Sequence, residues 1–270
     1  MLETDKAFTG TIPDTYDRYM VPMIFAPYAA DLADRAAAFA PSAILEIAAG
    51  TGAVTRALAS RLSPAVRYVA TDLNQSMLDF AASRQAADSE IVWCQADALA
   101  LPFEDAEFDL VCCQFGAMFF PDRGAAYREA RRVLRSGGRF LFNVWDRIEE
   151  NVFADDVAKA LARYFPDDPP RFIARTPHGY YDTALIRREL EDAGFTQIAI
   201  ETITKESRAA SPRAAAVAYC QGTPLRNEID LRDPASLAAV TDSVEAALAD
   251  RHGRGEIAAK MQAHIIVAVA

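Results

Sequence analysis

The chain has little positive charge and few residues suited to metal or disulfide chemistry. Lysine and arginine number 28 against 38 aspartate and glutamate residues, which gives a net charge of −10 at pH 7. A protein that grips nucleic acid mainly by charge needs clustered cations, so we expect no nucleic-acid partner. Only three histidines and four cysteines are present, and their spacing is not typical of a zinc site. We therefore expect no bound metal.

Long apolar runs are also missing. No stretch approaches the roughly 18 apolar residues that cross a bilayer, and the first residues lack the basic and apolar segments of a secretory signal. Cys94, Cys112, Cys113 and Cys220 are interpreted as reduced core residues. We expect a cytoplasmic protein without stable membrane insertion. The sequence carries no indication of its oligomeric state.

What the chain does have is a regular alternation of short apolar runs and helical patterns between residues 41 and 146. The runs at 44–48 and 108–113 are apolar on both faces, which is typical of strands in a parallel sheet covered on both sides. This alternation predicts an α/β fold with a parallel sheet and helices on both faces. Further strands are expected at 67–71, 91–94, 139–145, 197–203 and 264–269, and helices at 76–85, 127–135 and 184–193.

The flanking regions differ from this core in composition. Residues 1–40 are expected to form a helical arm with aromatic side chains, and residues 147–190 an insertion that prolines interrupt. Residues 191–270 are expected to supply the last strands, with an alanine-rich helical stretch at about 207–260. We expect one domain over 1–270, in which the arm and the insertion form a lid over the core.

One turn carries most of the functional information. An apolar run ends at Glu46, and the small residues Ala48, Gly50 and Gly52 follow before a helical pattern begins. Small residues let backbone N–H groups approach a ligand, and glycine permits positive φ. Asp72 lies 20 residues past Gly52, at the tip of the second strand, where its two oxygens can accept hydrogen bonds from both hydroxyls of a ribose. The arrangement predicts a pocket for a ribose-bearing cofactor.

A dinucleotide is one cofactor that such a turn could serve. Dinucleotide sites use Gly-x-Gly-x-x-Gly, whose third glycine allows the helix to pack closely beside the pyrophosphate. Here the series from Gly50 is Gly-Thr-Gly-Ala-Val-Thr, so Thr55 stands at the third position. This weakens the interpretation as an NAD(P)-dependent oxidoreductase, and no Tyr-x-x-x-Lys pair supports it.

Further motifs follow the turn in a fixed order. They are Val-Ala-Thr-Asp-Leu-Asn-Gln-Ser-Met at 69–77, Trp-Cys-Gln-Ala-Asp-Ala at 93–98, Phe-Asp-Leu-Val at 108–111 and Val-Leu-Arg-Ser-Gly-Gly-Arg-Phe at 133–140. This series resembles the class I S-adenosylmethionine-dependent methyltransferases, and among them the small-molecule group that includes the ubiquinone and menaquinone biosynthesis enzymes. The resemblance is strong over about 41–146. It implies a Rossmann-like sheet of seven strands, mostly parallel, with an antiparallel last strand at about 264–270.

The resemblance also implies a role for individual residues. Glu46 would face the methionine amine, Asp72 would bind the ribose, and Asp97 would accept from the adenine amine. Asp97 has an alternative as a turn or helix-cap residue, and Met77 has one as a core residue. Tyr19, in the arm, is a separate candidate for cofactor contact. The predicted cofactor-binding residues are Tyr19, Glu46, Ala48, Gly50, Gly52, Asp72, Leu73, Met77, Asp97, Ala98 and Gln114.

The methyl acceptor is expected to be a small, apolar or aromatic molecule, attacked in line with the departing sulfonium. A base is needed only if the attacking atom carries a proton that must leave. His178 is the candidate base, because histidine titrates near neutrality, and its alternative is an exposed loop residue. Two other functions stay open, a methyltransferase-like binding protein without turnover and an NAD(P)-dependent oxidoreductase. Candidates for acceptor contact are Phe115, Phe119, Trp145, His178, Tyr180 and Tyr181.

Overall fold

A computed structural model describes residues Asp5, Gly10, 12–86 and 90–270, and their contacts divide the chain into two compact units. The sheet unit comprises 28–144, 181–203 and 263–270. The helical unit comprises the residues up to Pro27, together with 145–180 and 204–262. The division into arm, core, insertion and C-terminal segment stays a prediction.

The sheet has seven strands in the order β3-β2-β1-β4-β5-β7-β6. The pairs β1–β2, β1–β4, β2–β3 and β4–β5 are parallel. The end of β7 lies beside the start of β5, since Ala270 N–H donates to Gly138 O at 2.9 Å. The seventh strand is therefore antiparallel to β5, and the predicted fold is confirmed. The strands are β1 Ala43–Glu46, β2 Arg67–Asp72, β3 Val92–Gln95, β4 Phe108–Gln114, β5 Leu134–Trp145, β6 Thr196–Ala209 and β7 Ile257–Val269.

Helices connect the strands and fill the second unit. A π-helical segment at Tyr16–Phe25 joins the first two of them. In the described part of the chain, no helix is both long and apolar enough to span a bilayer. The helices are α1 Ile12–Thr15, α2 Ala26–Ala38, α3 Ala53–Ala59, α4 Gln75–Ser83, α5 Arg123–Val133, α6 Val152–Tyr164, α7 Phe172–Arg175, α8 Thr183–Asp192, α9 Pro212–Gln221, α10 Leu225–Arg232 and α11 Leu237–His252.

The core of the sheet unit follows from its apolar strands. All four residues of β1 are buried, and β4 is buried at five of its seven positions, so both strands are covered on both faces. The Tyr127 ring of α5 lies 5.7 Å from that of Phe140 and 5.6 Å from that of Phe142. These contacts hold α5 against β5. The strand ends that carry the predicted site are thereby fixed on a rigid layer.

Two predicted boundaries are wrong. The helix expected at 127–135 spans Arg123–Val133, and β5 begins at once with Leu134, because this buried residue pairs with Phe108 of β4. Gly137, with φ +78°, lies inside that strand rather than at a helix end. Strand β7 begins at Ile257, so the alanine-rich helical stretch ends at His252 instead of about 260.

In the helical unit the buried acids Asp5, Glu228 and Asp156 form ion pairs. Arg175 Nη2 contacts Asp5 Oδ1 at 2.7 Å and Glu228 Oε1 at 2.8 Å, and both acids are at least 90% buried. Asp156, on α6, is paired in the same way with Arg251 and with His252, whose Nε2 lies 2.8 Å from Asp156 Oδ2. These groups compensate each other's charge within the unit.

Candidate functional site

The turn between β1 and α3 has a left-handed backbone at three of its residues. Ala48 has φ +56°, Gly50 φ +57° and Gly52 φ +81°. Ala49 N–H donates to Thr71 O at 2.9 Å, which fixes the turn to the end of β2. Glycine adopts this conformation without strain but alanine does not, so Ala48 stores backbone strain. Strain of this kind collects at ligand sites.

A second strained loop lies against the first, at the end of β4. Phe115 has φ +50° there. A Cβ at the next residue, Gly116, would lie 2.6 Å from both Ala48 Cβ and Cys113 Sγ, far closer than real contacts allow. Only glycine fits at position 116. The two strand ends therefore approach each other closely at the edge where the predicted site lies.

Glu46 ends β1 with its carboxylate buried, and only 2% of the residue is exposed. Its Oε2 accepts a hydrogen bond from Thr55 Oγ1 at 2.6 Å and another from the hydroxyl of Tyr68. Burial raises the pKa of this carboxyl to about 7, and the two hydrogen bonds oppose that rise only in part. The sequence did not identify Thr55 or Tyr68 as partners of Glu46.

Asp72, at the end of β2, links the strand to the turn. Its Oδ2 accepts from Gly50 N–H at 2.9 Å, and its Oδ1 accepts from Asn74 N–H at 2.8 Å. Oδ1 also accepts from Asn74 Nδ2 at 3.4 Å, so Oδ2 is the oxygen that keeps a further lone pair for a ribose hydroxyl. Burial raises the pKa of Asp72, against the effect of these hydrogen bonds. The neighbouring Leu73 is 45% exposed, as a side chain offered to a ring would be.

Glu46 and Asp72 have only neutral hydrogen-bond partners among the described residues. Arg56 lowers the pKa of Glu46 through its charge, yet its Nη1 donates to Thr51 O at 2.5 Å rather than to either carboxylate. A buried carboxylate usually has a cation beside it. The site is therefore chemically suited to a ligand that brings positive charge and hydroxyl donors.

The remaining predicted residues of the sheet unit lie at the same edge of the sheet. Ala96 N–H donates to Asp72 O at 3.0 Å, which places Asp97 and Ala98 directly beyond the end of β3. Asp97 is exposed, and its Oδ1 accepts from Leu99 N–H at 2.9 Å, so it also serves its alternative role in a turn. Met77 is only 4% exposed, which agrees with its alternative as a core residue.

Gln114 completes this edge at the end of β4. Asn143 Nδ2 lies 3.5 Å from its Oε1, and β4 pairs directly with β1. Hydrogen bonds thus link the end of β1, the turn and the end of β2. Asp97, Ala98 and Gln114 are placed near them by the pairing of β3 and β4 with the neighbouring strands. Their roles toward a cofactor stay predictions.

Tyr19 and His178 belong to the helical unit. Tyr19 is half-buried, and the Arg18 guanidinium lies 5.1 Å from the centre of its ring. His178 is buried, so its alternative as an exposed loop residue is wrong. Its Nδ1 lies 2.8 Å from Asp146 O, and because a carbonyl only accepts, Nδ1 carries the hydrogen and Nε2 the lone pair. Burial lowers the pKa of His178 to about 4.

Comparison with known proteins identifies the family of the chain. A family model described as a methyltransferase domain matches residues 45–142. The ubiquinone/menaquinone biosynthesis C-methyltransferase UbiE of Cupriavidus necator is 31% identical over 170 residues, which are 60% of this chain and 70% of the relative.

Solved structures share the fold. The YcgJ protein of Bacillus subtilis superposes with a TM-score of 0.57 at 20% identity, over 88% of this chain and 97% of the other. Phosphoethanolamine N-methyltransferase 2 of Haemonchus contortus, solved with S-adenosyl-L-methionine, gives 0.60 at 16% identity, over 100% of this chain and 60% of the other.

The strand order, the glycine turn and the acid ending β2 define a Rossmann-like enzyme that uses a nucleoside cofactor. The chain belongs to the class I S-adenosylmethionine-dependent methyltransferases. Its cofactor is S-adenosylmethionine, as the resemblance in the sequence implied. The oxidoreductase alternative is therefore wrong, and the reason lies in Thr55, which donates to Glu46 where a dinucleotide site has its third glycine.

Proposed function

We propose that this enzyme methylates a small, apolar or aromatic molecule in the cytoplasm. The use of the cofactor is supported by one observation. The two buried carboxylates, of Glu46 and Asp72, have only neutral hydrogen-bond partners among the described residues. The relatives named for ubiquinone and menaquinone biosynthesis support the acceptor class. The net charge of −10 speaks against a nucleic-acid acceptor, and the four free thiols suit a reducing compartment.

The residues at the sheet edge fit the cofactor's chemical groups. Asp72 would bind the ribose hydroxyls, one through the lone pair that Gly50 leaves on Oδ2 and one on Oδ1 in place of the 3.4 Å contact from Asn74 Nδ2. Glu46 compensates the α-ammonium, and the exposed face of Leu73 covers the adenine. When bound, S-adenosylmethionine supplies a methyl group already activated by the positive sulfur. The backbone of Ala48, Gly50 and Gly52 would line the methionyl part, Met77 would support the adenine, and Asp97, Ala98 and Gln114 would contact the adenine and the methionyl end.

The protein's remaining task is to orient the acceptor and exclude water. Orientation of two reacting groups can contribute about 7–11 kcal/mol to lowering a barrier. In the sheet unit, Phe115 packs edge-to-face on Tyr28, with ring centres 5.4 Å apart, and Phe119 follows in the same loop. We propose these rings as apolar contacts for the acceptor.

We also propose His178 as the base for an acceptor that must lose a proton. Its Nε2 carries the lone pair, and with a pKa lowered to about 4 by burial it is neutral throughout the physiological range. His178→Gln should lower kcat by about 10²-fold with little change in cofactor affinity. An unchanged kcat for a hydroxyl acceptor would remove His178 from this role.

Calorimetric titration with S-adenosylhomocysteine tests the cofactor site. Asp72→Asn should weaken binding about 100-fold, because hydrogen bonds to a charged acceptor are each worth about 1.5–3 kcal/mol. Asp79→Asn, on the exposed face of α4, is the matched control and should leave the Kd unchanged. Equal affinity of wild type and Asp72→Asn would contradict the proposed ribose contact.

Measurement of methyl transfer to different compounds tests whether the acceptor is a small, apolar or aromatic molecule. We expect transfer of a labelled methyl group to at least one member of a panel of phenols, quinols, amines and carboxylates, with the apolar ring compounds preferred. Tight binding of S-adenosylhomocysteine without transfer to any member would favour the alternative of a binding protein. Transfer to RNA or to a protein, but to no small molecule, would contradict the proposed acceptor.

A further inference from the structure

The cluster of Glu46, Thr55 and Tyr68 has a feature that ribose and adenine recognition do not use. Both hydroxyl donors converge on the same carboxylate oxygen, Oε2. The three residues come from β1, α3 and β2, and none is more than 4% exposed. Since Oε2 is already engaged by two donors, a proton on this carboxyl is carried by the other oxygen, Oε1.

Burial without a cationic hydrogen-bond partner is the main reason why Glu46 favours that proton. Asp72 of β2 raises the pKa of Glu46 by repulsion, and Arg56 of α3 lowers it by less than burial raises it. On β4, Cys112 and Cys113 are within electrostatic range of the same carboxylate, and burial raises the pKa of both thiols, so they stay neutral. The net effect places the pKa of Glu46 at about 7.

We propose that Glu46 releases the proton on its Oε1 to solvent when the cofactor binds, and that Thr55 and Tyr68 are the positioning residues for this step. The proposal rests on the cofactor site proposed above. The ligand's α-ammonium keeps its own protons and replaces the released proton as the compensating positive charge. Thr55 and Tyr68 hold Oε2, so that the ionised carboxylate does not rotate toward Asp72.

Proton release can be measured directly by titrating S-adenosylhomocysteine in buffers of different ionisation enthalpy. We expect release of about 0.9 proton at pH 6, about 0.5 at pH 7 and about 0.1 at pH 8. The Kd should weaken about tenfold between pH 8 and pH 6. 5′-Methylthioadenosine has the adenosine part without the ammonium, so it should bind with no release.

Variants identify the group that loses the proton. Glu46→Gln retains an acceptor for Thr55 and Tyr68 and should abolish both the release and the pH dependence of Kd. Asp72→Asn should bind weakly but still release a proton, measured at higher protein concentration. Thr55→Val removes a donor to the ionised form and should shift the release toward higher pH, whereas Thr55→Ser should restore it. Tyr68→Phe should act like Thr55→Val.

The possible failures are distinguishable. If S-adenosylhomocysteine does not bind wild type at all, the proposed cofactor site is wrong. If it binds tightly without proton release, or if release persists in Glu46→Gln, the site stands and the proton-release proposal is overturned. Release from wild type that disappears only in Asp72→Asn would assign the proton to Asp72 and also overturn the proposal.

Discussion

The two units of the molecule differ in the partners of three buried acids, Glu228 in the helical unit and Glu46 and Asp72 in the sheet unit. In the helical unit Arg175 is bonded to both Asp5 and Glu228. In the sheet unit the partners of Glu46 and Asp72 among residues 12–86 and 90–270 are hydroxyl, amide and backbone N–H groups. Paired charges compensate each other within the fold. A buried carboxylate without a cation can instead be compensated by a positively charged ligand.

Backbone strain is also distributed unequally between the two units. Five residues other than glycine have positive φ among those that the structure describes, and all five belong to the sheet unit. Two of them, Ala48 and Phe115, lie at the strand ends that carry the predicted cofactor site. The comparison indicates that one unit is built for stability, while the other gives up some stability at its binding edge.

The largest expected loss of stability comes from the replacement of Glu228. Its Oε2 accepts from Arg171 N–H at 2.7 Å and its Oε1 from Arg175 at 2.8 Å. Glu228→Ala should lower the free energy of unfolding by about 3–5 kcal/mol, since it leaves Arg175 and the buried N–H of Phe172 without this partner. Urea unfolding followed by circular dichroism measures this loss.

The matched change in the sheet unit is Glu46→Gln. It should alter the free energy of unfolding at pH 7 by less than about 1 kcal/mol, because glutamine keeps an acceptor and removes an uncompensated charge. Equal destabilisation by Glu228→Ala and Glu46→Gln would show that the two units do not differ in this respect.

The next effect concerns how the free energy of unfolding depends on pH. The contribution of Glu46 in the sheet unit and that of His178 in the helical unit should change with pH in opposite directions. Glu46 has its pKa raised from 4.5 to about 7, so its contribution to stability is present below pH 4.5 and is lost as the pH rises through 7. His178 has its pKa lowered from 6.5 to about 4, so its contribution is present above pH 6.5 and is lost as the pH falls through 4. Each amounts to about 3 kcal/mol.

Difference measurements between variants and wild type isolate these slopes. Between pH 4.5 and 6.5 the two contributions cancel in wild type. Glu46→Gln should therefore lose stability relative to wild type as the pH falls, and His178→Asn should gain it, each by about 1.4 kcal/mol per pH unit. Parallel curves for both variants would contradict the assigned pKa shifts.

The smallest effect concerns the strained edge. Gly116→Ala should cost about 2 kcal/mol, because the new Cβ meets Ala48 Cβ and Cys113 Sγ at 2.6 Å. Ala48→Gly should gain about 0.5–1 kcal/mol by relieving its positive φ. Thermal unfolding measures both. A destabilised Ala48→Gly would mean that residue 48 is held without strain.

The sequence predicted the site best where the information is local. Glu46, Gly50 and Gly52 lie within seven residues of one another, and the tip of β2 is found by its apolar run, so Asp72 could be placed as well. The roles of Thr55 and Tyr68 could not be found in this way. They depend on how α3 and β2 pack beside β1, which no spacing within one sequence encodes.

Boundaries and distant ion pairs were the weaker part of the sequence analysis. The start of β5 was missed because Leu134 is extended by its pairing with Phe108 rather than by its own preference. The bond from Arg175 to Asp5 joins residues 170 positions apart. A polar residue such as Thr55 beside the apolar stripe of α3 is the one signal that could have directed attention to a buried partner.

The four cysteines, which the sequence indicated to be reduced, also give this enzyme a simple handle for labelling. Burial raises the pKa of Cys113 and of Cys220 to about 12 and also raises that of Cys112 well above its usual value, so these thiols resist alkylation at neutral pH. Cys94 is only half-buried and lies on β3, three residues before Asp97. A maleimide dye should therefore react at one place, beside the predicted adenine contact, and report cofactor binding by its fluorescence.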